Sequence, residues 1–314
     1  MKYYFAPLEG ITDATFRRLH HKYFPGIDRY YMPFISPTIH RCLTHREARE
    51  LPGADSVDFL AVPQLLGKNA DDMLWAIDTC GSLGYSEVNI NLGCPSGTVV
   101  SKGKGSGMLA DLDNLDSFLE QIYTRASLPV SLKTRIGMTE PEEFEHILNI
   151  YNQYPVCELT IHPRVRKAFY KGPCDLEVFQ MAVEQAKMPL CYNGNLNSKA
   201  DILDIHDRFP SVDAVMIGRG LVADPGMLSP GGTTRDTLEA FLSELSETYC
   251  VLFGSKRNAI YRLKDNWHYL IALFDGAEKP WKELRKTTDY DRFCAITQEI
   301  MHTLPMKKAW EPTW

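Results

Sequence analysis

Cys94 stands in the run V-N-I-N-L-G-C-P-S-G-T-V, just past an apolar stretch and between a glycine and a proline, the composition of a tight turn. The other cysteines, at positions 42, 80, 157, 174, 191, 250 and 294, mostly fall in apolar segments and none is spaced C-x-x-C. They read as packing residues, and neither a disulfide framework nor a zinc site is expected. A thiol on an exposed turn can act as nucleophile, base or acid. At an ordinary pKa of about 8.5 a thiol keeps its proton at neutral pH and can therefore donate it. Beyond Cys94 the stretch S-K-G-K-G-S-G (101–107) sets Lys102 and Lys104 among glycines. Such a loop is flexible and cationic: it either closes over a substrate and touches its phosphates or stays a solvated surface.

These residues need elements to hold them. Eight β-rich runs, at 3–6, 29–32, 60–65, 87–90, 130–132, 158–161, 190–192 and 214–217, alternate with amphipathic stretches. The stretch 71–83 carries Met73, Leu74, Ile77 and Cys80 on one face, and 113–125 carries Leu115, Phe118, Leu119 and Ile122 behind Asp113 as a candidate N-cap. The stretches 142–151 and 176–186 read likewise. Strand–helix alternation predicts a parallel sheet with right-handed crossovers, and eight units predict an α/β fold closed as a (β/α)₈ TIM barrel. An open doubly wound sheet is the alternative, but the G-x-G-x-x-G fingerprint after its first strand is missing.

Barrel enzymes carry their chemistry at the C-terminal ends of strands. Seven of the eight runs end in a polar, glycine or cysteine cluster: Pro7-Leu8-Glu9-Gly10, Gln64, Asn91 with Gly93-Cys94, Lys133-Thr134-Arg135, His162-Pro163-Arg164, Asn193-Gly194-Asn195 and Gly218-Arg219-Gly220. The last two ends are where such barrels hold a phosphate. Glycines let backbone N–H groups approach it and Arg219 can add a bidentate contact, which suits a mononucleotide such as FMN. Lys133 follows an apolar strand, so its ammonium needs a partner. A reduced flavin ring, negative at its pyrimidine end, would serve; so would Glu9 or another carboxylate in a structural ion pair.

The ordered stretches A-P-L-E-G-I-T-D (6–13), Q-L-L-G (64–67), N-I-N-L-G-C-P-S (89–96), K-G-K-G-S-G-M-L (102–109), K-T-R-I-G (133–137), I-H-P-R (161–164), Y-K-G-P-C-D (170–175), N-G-N (193–195) and I-G-R-G (217–220) resemble the tRNA-dihydrouridine synthases over about residues 3–228. The resemblance implies an FMN-dependent oxidoreductase that reduces the C5–C6 double bond of a uridine in tRNA, with NADPH or NADH as reductant and the base flipped out of its stack. By position, Cys94 matches the proton donor. Pro7, Leu8 and Glu9 would line the flavin edge, and Gln64 and Lys133 would bond its polar end. His162 would lie near flavin and base. Asn193, Gly194, Asn195, Gly218 and Arg219 would hold the ribityl phosphate. Asn91 would contact the uracil, with Arg135, Arg164, Lys102 and Lys104 on the substrate side. Leu8 and Asn195 depart from the family, which often has methionine and an acidic residue there.

Composition sets the remaining bounds. The chain has 314 residues, 44% hydrophobic and 24% charged, with a net charge of −6, so any nucleic acid is bound by a local patch rather than by bulk charge. No apolar run is long enough for a membrane span and the N-terminal apolar run is too short for a signal peptide, so a cytoplasmic protein is expected. After S-P-G-G-T-T (229–234) no strand follows, and 237–252, 260–274 and 291–304 show helical spacing. Residues 1–230 are thus expected to form the FMN-binding barrel and 231–314 a small helical tRNA-binding domain. Its segment from 232 onward holds 12 basic and 12 acidic residues, including Lys256, Arg257, Arg262 and Lys264, then Lys279, Lys282, Arg285 and Lys286 around Trp281, and Lys307 and Lys308 near Trp310. A monomer without metal or membrane is expected. Two other readings stay open: a dihydroorotate or dihydropyrimidine dehydrogenase-like flavoenzyme acting on a free pyrimidine, and a flavin-free RNA-binding barrel.

Overall fold

Short runs rich in β-branched and aromatic residues become strands, and the amphipathic stretches between them become helices, because each can bury one face only against the other. The computed structural model describes residues 1–312, so the last two residues of the expected tail 231–314 lie outside the described residues. The order is β1 (Lys2–Phe5), α1 (Ala14–Tyr23), β2 (Arg29–Tyr31), α2 (His45–Glu50), β3 (Ala61–Val62), β4 (Gln64–Leu65), α3 (Ala70–Ser82), β5 (Val88–Leu92), α4 (Gly97–Val100) and α5 (Leu112–Arg125). There follow β6 (Val130–Arg135), α6 (Glu143–Tyr151), β7 (Leu159–His162), α7 (Leu176–Gln185), β8 (Leu190–Tyr192), α8 (Lys199–Arg208), β9 (Ala214–Ile217), α9 (Arg219–Ala223), α10 (Arg235–Phe253), α11 (Lys256–Leu270), α12 (Glu278–Leu284) and α13 (Tyr290–Thr303).

All strand pairs are parallel, in the order β3-β2-β1-β9-β8-β7-β6-β5-β4. The two ends of that order, β3 and β4, are halves of one segment, so the ring closes through Pro63 and the architecture is an eight-stave TIM barrel. The run 60–65 is broken at Pro63 because proline has no N–H to give a ladder. On one side the Leu60 and Val62 carbonyls accept from Tyr30 and Met32, each at 2.9 Å; on the other the Pro63 carbonyl accepts from Asn89 at 2.8 Å. Strands β5 and β6 run two and three residues past the expected ends, to Leu92 and Arg135, so Asn91, Lys133 and Arg135 are strand residues with sides fixed by the pleat. Asp111, not Asp113, caps α5: its Oδ1 accepts from the Asn114 N–H at 3.1 Å, and Asp113 sits in the first turn, where its charge still favours the helix dipole.

The chain divides into two compact units. The barrel unit comprises Met1–Pro7, Asp28–Asn195 and Ile202–Ile217. Tyr4, Ala6, Tyr31, Val62, Cys191, Ala214 and Met216 pack within it as one buried cluster. The expected apolar faces of α3, α5 and α6 are buried, among them Met73, Ile77, Leu115, Leu119, Phe144 and Leu148.

The helical unit comprises Leu8–Ile27, Leu196–Asp201 and the chain from Gly218 onward. Within it Phe241 of α10 takes edge contacts from Phe16 and Phe24, with ring centroids 5.5 and 5.3 Å away. Helix α10 is capped by Thr234, whose hydroxyl accepts from the Thr237 N–H, and ends at Gly254 in the left-handed conformation, where glycine is free of side-chain strain. Ser255 then caps α11 and Asp289 caps α13. Among the described residues no helix is long and apolar enough to cross a membrane.

Candidate active site

The rim of the barrel unit is built on residues at the C-terminal ends of β4 to β8. Asn89 and Asn91 are two apart on β5 and so project to the same side. Asn91 turns its Oδ1 onto the chain that follows, accepting from the Gly93 N–H at 3.0 Å and the Cys94 N–H at 2.8 Å. The Gly93 carbonyl accepts from Arg135 Nε at 2.9 Å. The Cys94 carbonyl accepts from the Ser106 N–H and from Ser106 Oγ at 2.8 Å. Gly105, at φ +57°, is required here, since a Cβ would lie 3.0 Å from the Cys94 Cβ and carbonyl oxygen. The Cys94 turn is thus pinned at each backbone polar group, and its side chain is half-buried rather than fully exposed. The far end of the cationic loop forms part of this clamp: Gly105 and Ser106 are buried, and Lys104 donates to Ser36 Oγ at 3.1 Å while Lys102 stays exposed.

Beside this turn stand cations without carboxylates. Lys133 Nζ donates to Asn193 Oδ1 at 2.7 Å, and Asn193 is oriented by its own Nδ2 donating to the Met216 carbonyl at 2.6 Å. No carboxylate pairs with Lys133 among the described residues. Burial pulls its pKa down to about 8, nearby Arg135 pulls the same way, and Cys94 is near enough to oppose them. Arg135 is buried, donates to the Val165 carbonyl at 3.2 Å and lies 5.3 Å over the Tyr170 ring. Arg164 is buried too: one nitrogen donates to His162 Nε2 at 2.8 Å and another to the Gly172 carbonyl, while its Nε has no partner. Because arginine can only donate, His162 presents a lone pair at Nε2 and the ring is neutral. Buried cations that lack anions are costly, and an arriving anion would relieve that cost.

The end of β8 supplies close backbone approach. A Cβ on Gly194 would come within 2.4 Å of Cys174 Sγ and 3.4 Å of His162 Cδ2. Asn195 takes φ +49°, a left-handed conformation that asparagine tolerates. The structure therefore draws together Gln64, Asn91, Cys94, Lys104, Lys133, Arg135, His162, Arg164, Asn193, Gly194 and Asn195 on adjoining barrel strands and the loops that follow them. Pro7 ends the first segment of that unit.

The remaining candidates belong to the helical unit. Leu8 opens a turn whose carbonyl accepts from the Ile11 and Thr12 N–H groups at 3.0 Å. Glu9 lines a cavity of about 250 Å³ with Gly10, Ile11, Asp265, His268 and Tyr269. Gly218 and Arg219 follow β9 directly in the chain and begin α9. Sequence reasoning did not single out Ser106, Tyr170 and Cys174 as site residues, nor Asn89 beneath Asn91. Only Asn89 carried a legible signal, its spacing of two from Asn91.

Comparison with known proteins agrees with this geometry. The family model described as dihydrouridine synthase matches residues 4–290. A tRNA-dihydrouridine synthase B from Pasteurella multocida (strain Pm70) is 29% identical over 284 residues, covering 90% of this chain and 81% of that protein. A probable tRNA-dihydrouridine synthase from Rhizobium leguminosarum bv. phaseoli is 30% identical over 222 residues, 70% of this chain and 68% of that one. Among solved structures, a morphinone reductase variant in complex with tetrahydroNAD superposes with a TM-score of 0.52 at 10% identity, covering 72% of this chain and 85% of that one, a likeness of fold. The chain belongs to the dihydrouridine synthase family and is an oxidoreductase.

Proposed function

We propose that this protein reduces the C5–C6 double bond of a uridine in tRNA, using FMN as resident cofactor and NADPH or NADH as reductant. The observation that carries the reading is the pinned Cys94 turn standing next to Lys133, a half-buried cation that no carboxylate among the described residues neutralises.

The barrel residues fit a flavin mononucleotide. Lys133 would bond the electron-rich pyrimidine end of the ring, with Gln64 beside it and Asn193 fixing the ammonium. Gly194, held free of a Cβ by Cys174 and His162, and Asn195 would let the backbone approach the ribityl phosphate. Pro7 would close the ring's edge. Bound there, FMN would supply hydride chemistry for reduction of the pyrimidine double bond. The chain's own residues do the rest. Cys94 gives the proton to C5, and its turn is held by Asn91, Ser106 and Arg135, so the thiol meets the base at small reorganisation cost. Neutral His162 and the Arg164 clamped to it form a donor-rich wall for the base and its phosphate. Lys102 and Lys104 supply phosphate contacts from the loop. The target base must leave its stack to reach the rim.

The test compares unmodified bulk tRNA with free uracil and orotate as oxidants of the reduced, flavin-loaded protein. Turnover on tRNA, with Cys94→Ala retaining flavin and losing about 10²-fold or more in rate, is expected. Turnover on a free pyrimidine and none on tRNA would overturn the substrate; full activity in Cys94→Ala would overturn the proton donor.

A further inference from the structure

A single hydrogen-bond chain runs through the barrel interior to the Cys94 turn. Arg29 donates to Glu87 Oε2 at 3.0 Å, and Ser131 Oγ donates to Glu87 Oε1 at 2.7 Å. Asn89 Nδ2 donates to Ser131 Oγ at 3.0 Å, and Gln64 Nε2 donates to Asn89 Oδ1 at 2.8 Å. Asn91 Nδ2 donates to Gln64 Oε1 at 2.8 Å, and Asn91 Oδ1 accepts from the backbone of Gly93 and Cys94. Asn89, Gln64 and Ser131 are buried, and Asn91 is 8% exposed.

An amide can face either way, but this chain has one consistent direction, and both ends impose it. At the rim the Gly93 and Cys94 N–H groups can only donate, so Asn91 must show them its oxygen and turn its amino group to Gln64. Gln64 then shows oxygen to Asn91 and its amino group to Asn89, and Asn89 must show oxygen to Gln64. At the other end an ionised Glu87 accepts only, so the Ser131 hydroxyl points at it and leaves a lone pair for the Asn89 amino group. One reversed amide anywhere would set amino group against amino group in a water-poor interior.

We propose that Asn89 is a positioning residue: it touches neither reacting group, but by accepting from Gln64 it fixes the amide direction through which Asn91 holds the Cys94 turn. This rests on the reading of Cys94 as the proton donor. A consequence is that Asn91 has only a second Nδ2 hydrogen left to offer, so it meets a carbonyl oxygen of a pyrimidine and not an exocyclic amino group.

The direction makes an unusual ordering of variants. Asn89→Asp keeps an acceptor for Gln64, and its carboxyl, holding a proton in this water-poor interior, donates to Ser131 Oγ as the native amide does and leaves the Ser131 hydroxyl on Glu87. Asn89→Leu fills the same space but leaves Gln64 Nε2 without a partner. If Asn89 mattered only for packing, the apolar isostere would be tolerated and the buried carboxylate would be harmful. The expected result on the full-length protein is the reverse. Asn89→Leu lowers kcat for tRNA about tenfold with KM and flavin content nearly unchanged, and it changes the rate of Cys94 alkylation by iodoacetamide, followed by peptide mass mapping, severalfold. Asn89→Asp stays close to the native protein in both. Should Asn89→Leu not fold, Asn89→Val takes its place with the same expectation. Native kcat and native alkylation in the apolar variant, or an Asp variant as impaired as the apolar one, would overturn the proposal. Absence of tRNA reduction by the native protein would sink the functional reading instead, while the alkylation rates would still decide the role of Asn89.

Discussion

Lys133 couples the site to pH. Its pKa is lowered, from the usual lysine range to about 8, chiefly by burial, so the free protein sheds this proton as pH rises through about 8 while the unfolded chain keeps it to about 10.5. The native state then binds fewer protons than the unfolded state between those values, and this group's contribution to stability rises with pH there. An anionic ligand does the opposite: it needs the ammonium, so its affinity falls as pH climbs past about 8. Flavin titrations followed by fluorescence should show that falling limb in the native protein and lose it in Lys133→Met. A limb of the same size and midpoint in the variant would take Lys133 out of the site. Cys94 and Lys133 stand out in the sequence as candidate site residues because each follows an apolar run in a place where apolar packing does not need it. Tyr170, Cys174 and Ser106 do not, because each reaches the rim from a long connection whose path no local pattern encodes.

Many of the elements were readable, since α3, α5, α6 and α7 each carry an apolar stripe. Leu119 is an example: it lies on the stripe of α5 and is fully buried. Leu119→Ala should cost about 2–5 kcal/mol of unfolding free energy, measured in urea, without altering the flavin spectrum of the folded protein. A loss below about 1 kcal/mol would mean the helix face can collapse around the gap. Strand ends were read less well. Asn91, Lys133 and Arg135 are polar, so the sequence suggests that β5 and β6 stop before them, yet the ladder continues: Asn91 pairs in register with Lys133 and Arg135 with His162. A functional strand carries its polar residues inside the sheet when the lumen supplies partners, and hydropathy alone cannot distinguish that from a loop. The α1, α2 and α8 helices went unread because their stretches are short or rich in charge.

At the scale of the whole molecule, the tail shows which of its cations are committed. Lys264 donates to the Arg285 carbonyl at 3.1 Å and to that of Thr287, Arg292 pairs with Glu283, and Arg262 lies 3.8 Å from Asp13. Lys279, Lys282, Lys286, Lys307 and Lys308 are exposed and have no ion-pair partner among the described residues. With Arg257, which is likewise exposed and without an ion pair among the described residues, they are free to meet phosphates. Replacing Lys279, Lys282 and Lys286 together by alanine should raise KM for tRNA and flatten its salt dependence, leaving kcat and melting temperature near native values. An unchanged KM and salt slope would assign these lysines to solvent alone.

The join at Pro63 has a consequence for how the cylinder fails. Nowhere does a lateral ladder bond link β3 to β4; one stretch of main chain lends its first half to β2 and its second half to β5. Hydrolysis of that stretch, by a protease acting on a transiently opened state, would leave the seam held by Ile35, which donates to the Gln64 carbonyl and accepts from the Leu66 N–H, each at 2.8 Å. Parting of those two bonds would then bare two strand margins, and such margins recruit other chains.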